Sequence, residues 1–87
     1  MQKEVTPQIN IEKLSQWFKK NIAVETGVSE NEIRLDVPLD SYTMDSLSFV
    51  TLSYELGIYL NTEIDPTIFW EFKTINELIE WLLQKKN

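Results

Sequence analysis

The sequence contains no cysteine and no histidine. Without cysteine it has neither disulfide staples nor thiolate metal sites. Without histidine the commonest general base and metal ligand is missing, and neither a Ser-His-Asp nor a Cys-His nucleophile can be assembled. Glycine and proline are scarce, at two and three in 87 residues, which is too few for the many turns of a sandwich or barrel. No apolar run approaches the length of a membrane span, and the opening MQKEVTPQIN has no signal-peptide core, so the cytoplasm is the expected compartment. Bases are almost absent from the middle. Between Asn21 and Phe72 ten carboxylates stand against Arg34 alone, a local charge of −9 within a chain of net −6. Such a surface repels phosphates, so nucleic acid is not an expected partner and a basic protein is. The acids serve simple solubility equally well.

What is present is a compact supply of apolar side chains: 43% of residues, with three Trp and four Phe. A chain of this length is read as one domain, 1–87, burying roughly 60–65% of the surface its unfolded form exposes. The first helix is expected over about 7–25: Thr6 caps, Pro7 takes the first helical position, Ile11, Leu14, Phe18 and Ile22 recur at helical spacing, and Gly27 stops it ahead of Val28. The last helix is expected over about 74–85, opened by the capping box Thr74-Ile75-Asn76-Glu77 and striped by Ile75, Leu78, Ile79, Leu82 and Leu83. Asp65-Pro66 opens a short third helix over 66–72.

The second helix, about 45–60, has two apolar lines. Phe49, Leu52, Leu56 and Leu60 form one; Leu47, Val50, Tyr54 and Ile58 form another about a third of a turn away. A surface helix needs only one such stripe. The second line is either a contact surface for another protein or the mark of a helix buried all round. Residues 28–44 alternate like a strand at Ile33, Leu35, Val37 and Leu39, but no second strand is available to pair with them and Pro38 cannot donate. This stretch is read as a long loop pinned on the helices by those side chains; loops of such length are often functional.

At the loop's end stands Met44-Asp45-Ser46-Leu47. Asp45 is a good N-cap, which leaves the Ser46 hydroxyl at the first helical position, pointing outward. A phosphate ester there would sit at the positive end of the helix dipole, near unpaired amides. An Asp-Ser pair is also ordinary capping. Three further features have plain readings. Asp36, Asp40 and Asp45 have the wrong spacing for a Ca²⁺ loop and lack its Gly, so no metal site is expected. Trp17, Trp70 and Trp81 are read as packing in preference to a ligand cavity. Gly57 inside a helix allows a partner to approach closely or reflects drift.

Taken together, the pattern resembles an acyl carrier protein, the phosphopantetheine-bearing domain of fatty acid and polyketide synthases. The resemblance runs from about Leu14 to Leu83. It rests on Gly27-Val28, Pro38-Leu39, Met44-Asp45-Ser46-Leu47, Leu56 and Leu60, Asn61-Thr62-Glu63-Ile64, Phe69-Trp70-Glu71-Phe72-Lys73-Thr74-Ile75, Leu78 and Trp81-Leu82. It implies an all-α, right-handed four-helix bundle with a short third helix and a long loop between the first two. It also implies a protein that is not an enzyme. A phosphopantetheinyl transferase, using coenzyme A and Mg²⁺, would place 4′-phosphopantetheine on Ser46, with Asp45 part of the priming motif. The arm's thiol would then carry acyl thioesters to an acyltransferase, ketosynthase or other biosynthetic enzyme, the carrier acting as a monomer.

The family docks through the helix after the serine, which falls here on Leu47, Val50, Thr51, Tyr54 and Ile58. A groove near Leu56, Ile64 and Phe69 is where cargo would be held if it is sequestered. Three departures bear on the pathway. Thr43 replaces the usual Gly two residues before the Asp, Lys73 replaces a usual Pro, and Thr51, Gly57 and Ile58 occupy positions that are acidic in bacterial fatty acid carriers. With no Gly-Gly-His/Asp-Ser run of peptide synthetases either, the resemblance points to a polyketide or mixed polyketide–peptide pathway. The alternative is an unmodified helical adaptor that binds through the second apolar line.

Overall fold

The computed structural model describes residues 10–86. These form three α-helices: α1 (Ile11–Thr26), α2 (Ser46–Leu60) and α3 (Ile75–Lys86). Short 3₁₀ turns lie at Glu30–Glu32, Leu39–Ser41 and Pro66–Trp70. There is no strand among the described residues, only an isolated antiparallel bridge between Pro38 and Thr74.

The Thr6–Pro7 start expected for the first helix lies outside the described residues. Within them, α1 opens at Asn10, whose side chain accepts from the Lys13 amide at 2.8 Å. It closes as its glycine requires: Gly27 adopts φ +77°, and its amide donates to the Ala23 carbonyl at 2.8 Å. One side of α1 puts Leu14, Phe18 and Ile22 fully out of solvent. They meet Ile75, Leu78, Ile79 and Leu82 of α3 and Leu52, Leu56 and Leu60 of α2 in one core.

The segment before α2 is pinned as its alternation suggests, with Ile33, Leu35 and Leu39 buried and Val37 half-buried. Its backbone finds a partner that the sequence does not advertise, the entry to α3. Leu39 N donates to Lys73 O at 2.9 Å, and Asn76 N donates to Leu35 O at 3.1 Å. Asn76 is the second residue of α3, so its amide has no acceptor within the helix. The loop supplies one. The Tyr42 hydroxyl closes the loop on itself by donating to the Arg34 carbonyl.

Two local expectations are corrected. The capping box reaches one residue further back. Thr74 Oγ1 accepts from Glu77 N at 3.2 Å, but the Glu77 carboxylate accepts from Lys73 N at 3.0 Å and not from the Thr74 amide. The third element, expected as a short helix over 66–72, is a 3₁₀ helix over Pro66–Trp70. Its ladder is i to i+3: Ile68 N donates to Asp65 O and Glu71 N to Ile68 O. Asp65 accepts from both the amide and the hydroxyl of Thr67, which holds the turn tight, and so short a piece does not relax to α geometry.

Candidate functional site

α2 begins where its sequence says it should. Asp45 is extended (φ −99°, ψ −178°), and its carboxylate accepts from the Ser48 amide at 2.9 Å. That hydrogen bond is the first cause holding the Asp45 pKa below its ordinary value, so the group is a carboxylate at neutral pH. Its carbonyl accepts from Phe49 N at 3.1 Å, which starts the helical ladder. Ser46, the first helical residue, is exposed, and its hydroxyl has no protein partner among the described residues. A small nucleophilic oxygen therefore stands in water at the positive end of a 15-residue helix. The setting fits a phosphate ester on Ser46 Oγ: nothing buries the hydroxyl, and the neighbouring carboxylate is engaged with an amide.

The two apolar lines of α2 separate cleanly. Leu52, Leu56 and Leu60 are buried and Phe49 is half-buried. On the other side Leu47, Tyr54 and Ile58 are 72%, 71% and 64% exposed, Val50 is 42% exposed, and Thr51 is half-buried. The helix is thus not buried all round. Its outer line runs the length of the helix beginning at the residue after Ser46.

Of the residues named for a cargo groove, Leu56 and Phe69 are inside the core and Ile64 lines a cavity. That cavity, of about 280 Å³, lies at the far end of α2 among Leu60, Ile64, Ile68, Trp81 and Leu82. Fourteen residues separate Leu60 from Ser46, about 21 Å at the α-helical rise.

Gly57 has an internal reason. A Cβ there would lie 2.6 Å from the Thr62 carbonyl oxygen, so the close approach is that of the chain's own turn. Asn61, the left-handed cap at φ 58°, sends the backbone back over Gly57, and Thr62 N donates to Gly57 O at 2.9 Å. Two aromatic residues beside the site carried no functional expectation, Phe49 and Trp70. Their ring centroids lie 5.9 Å apart, and Trp70 is 59% exposed. Its neighbours Ile68 and Phe69, both buried, left no sequence signal that the third residue of the run would turn outward. Of the other tryptophans, Trp17 stacks on Tyr59 at 5.5 Å, and Trp81 packs on Phe72 at 5.7 Å besides lining the cavity.

Among the described residues there is no cluster of carboxylates able to hold a metal ion. Nor is any helix among them long and apolar enough to cross a membrane.

The family model described as "Phosphopantetheine attachment site" matches residues 16–82. The chain is 29% identical over 69 residues to the polyketide synthase PksL of Bacillus subtilis (strain 168), covering 79% of this chain and 2% of that protein. It is 35% identical over 63 residues to the non-reducing polyketide synthase aptA of Emericella nidulans, covering 72% of this chain and 4% of that protein. The chain thus spans a small fraction of these relatives. Among solved structures, a free-standing peptidyl carrier protein from an Acinetobacter baumannii secondary metabolic pathway superposes with TM-score 0.80 at 29% identity, covering 87% of this chain and 95% of that one. The HMG-ACPI domain of the CurA module from Lyngbya majuscula shares the fold, with TM-score 0.76 at 23% identity over 95% of this chain and 87% of that one.

Proposed function

The chain belongs to the phosphopantetheine attachment-site family, whose members bear a phosphopantetheine prosthetic group and are not themselves catalytic, and from that premise we propose that Ser46 is the attachment residue of an acyl carrier. The observation that carries this reading is the Ser46 hydroxyl, exposed and unpartnered at the first position of α2 behind an Asp45 cap. In priming, Ser46 Oγ forms the new phosphoester with the phosphopantetheinyl group of coenzyme A. It loses its proton to the transferase, and adenosine 3′,5′-bisphosphate departs. Once attached, the group supplies a thiol for thioester chemistry, which a chain without cysteine does not have itself. Asp45 holds the α2 terminus, and so the Ser46 oxygen, in place through its bond to the Ser48 amide.

The outer line of α2, Leu47, Val50, Thr51, Tyr54 and Ile58, is the surface offered to the transferase and to acyltransferase, ketosynthase or related enzymes. Its exposure beside Ser46 supports that role. Sequence similarity to polyketide synthases favours a polyketide or mixed polyketide–peptide pathway over primary fatty acid synthesis. In this reading the 3₁₀ turn Pro66–Trp70 is the short third helix of a four-helix carrier fold, and residues 1–87 act as one monomeric domain in the cytoplasm, where coenzyme A is available.

The test is intact mass after incubation with coenzyme A, Mg²⁺ and a broad-specificity phosphopantetheinyl transferase, with Ser46→Ala alongside. A gain of one phosphopantetheine by the native chain and none by the variant is expected. A folded native chain that gains nothing would leave the unmodified adaptor as the better reading, and a Ser46→Ala chain that still gains mass would move the site elsewhere.

A further inference from the structure

Trp70 is the one tryptophan whose side chain is mostly in water, although it follows two buried residues in the 3₁₀ turn. Indole is a costly group to leave exposed. It meets Phe49, at 5.9 Å between ring centroids and 59° between planes, and Phe49 also meets buried Phe69 at 5.3 Å. The pair is therefore backed by the core and open to solvent.

Its position relative to Ser46 follows from helix geometry. Ser46 and Phe49 are three apart on α2, so their Cβ atoms lie about 5–6 Å from each other on the same side. Helical side chains lean towards the N-terminus, so Phe49 covers the turn that Ser46 begins. Trp70, standing next to Phe49, then flanks the path that any group attached to Ser46 Oγ takes on leaving the helix.

Resting on the reading that Ser46 carries the arm, we infer that Phe49 and Trp70 form an apolar landing for the part of the arm nearest the protein. The chemistry of the arm selects which part. Its one compact apolar group is a carbon bearing two methyls, three bonds from phosphorus. The hydroxyl and two amides beyond it are satisfied in water. Phe49, one turn from Ser46, is within a few bonds' reach of those methyls, whereas the cavity near Leu60 is about 21 Å along α2 from Ser46. The two methyls pack on the indole and phenyl rings, and the distal amides and thiol remain free for partner enzymes.

The experiment uses the full chain, primed with coenzyme A and shown by mass to carry one arm. NMR of the primed protein is expected to show nuclear Overhauser contacts from the arm's methyls to the Trp70 indole protons. It should also show an upfield displacement of those methyls relative to free coenzyme A. In Trp70→Ala, primed to the same mass and folded by circular dichroism, both are lost. In Trp81→Phe, at the other end of the molecule, both persist. A native chain that gains the arm but shows methyl shifts equal to those of coenzyme A and no contact to Trp70 overturns the landing and leaves Ser46 as the attachment residue. A native chain that gains no arm removes the reading beneath the inference, and the inference with it.

Discussion

Along one side of α2, Leu52, Leu56 and Leu60 are withdrawn from solvent; along the other, Leu47, Tyr54 and Ile58 keep more than 60% of their surface in water. The residue types differ little, and the backbone between them is one continuous helix. What separates them is supply. α1 and the Pro66–Trp70 turn pack against one side of the cylinder, and among the described residues nothing covers the other. A sequence that nevertheless keeps apolar residues on the uncovered side spends solubility there, and the carboxylates around it make that tolerable.

The sharpest way to break this comparison is to cut the inner side. Leu56→Ala removes a fully buried side chain from the centre of the core. It should cost about 2–5 kcal/mol, a large share of the roughly 5–15 kcal/mol available to a domain. Urea unfolding is expected to show a lower midpoint with an unchanged slope. A loss below about 1 kcal/mol would mean that the inner side can collapse to fill the gap, and that the contrast between the two sides is shallower than their burial indicates.

Gly57 sits at the border between them. Alanine is the better helix former by up to about 1 kcal/mol, yet its Cβ would meet the Thr62 carbonyl at 2.6 Å. Displacing backbone from a packed position costs about 1–3 kcal/mol. Gly57→Ala should therefore lower stability by about 1 kcal/mol net of that gain. A variant more stable than the native chain would show that the 61–65 turn yields, and that the edge of the outer side is soft.

Tyr42 lies half in and half out of the loop that covers the inner side. Burial first, and the charge of Asp36 second, push its phenol up from 10.0 to about 12. The folded value lies above the unfolded one, so the protonated phenol's contribution is fully present below pH 10 and is lost as pH rises through about 12. Solvent still reaches much of the ring, so its size is that of one hydrogen bond, about 1 kcal/mol. Tyr42→Phe should be less stable by that amount at neutral pH. It should also lack the native chain's extra loss of stability in alkali. Parallel alkaline unfolding curves for the two proteins would remove Tyr42 from the loop's anchorage.

How much of this was legible depended on whether the cause was local. The cap at Asp45, the stop at Gly27 and the inner line of α2 are written within a few residues of where they act, and the structure places them as read. The resemblance to carriers rests on the same kind of local punctuation. The bonds from Leu35 and Leu39 to Asn76 and Lys73 join backbone groups more than thirty residues apart, and backbone groups leave no mark in composition. The same holds for Gly57, whose constraint is a carbonyl on a later turn. For 66–72 the cap was legible, but the choice between α and 3₁₀ was not, because Asp65 and Pro66 open either. The groove near Leu56, Ile64 and Phe69 rests on the resemblance alone, which does not tell that Leu56 and Phe69 lie in the core here.

The smallest effect on folding comes from the outer side, and it carries the functional half of the comparison. Ile58→Ser alters a residue that is 64% exposed and fills no cavity, so stability should stay within about 0.5 kcal/mol of native. If the outer line is what the transferase grips, truncating a contact at its C-terminal end should lower kcat/KM for priming about tenfold, the equivalent of roughly 1.4 kcal/mol. The Ser46 oxygen itself is untouched at the other end of the helix, so priming at saturating transferase should still go to completion by mass. Leu56→Ala should do the reverse: its folded fraction, with the outer side intact, should be primed at close to the native rate. An Ile58→Ser chain primed as fast as the native one, together with a slow Leu56→Ala chain, would mean that the exposed line is not the grip, and that priming responds to the stability of α2 and not to what it displays.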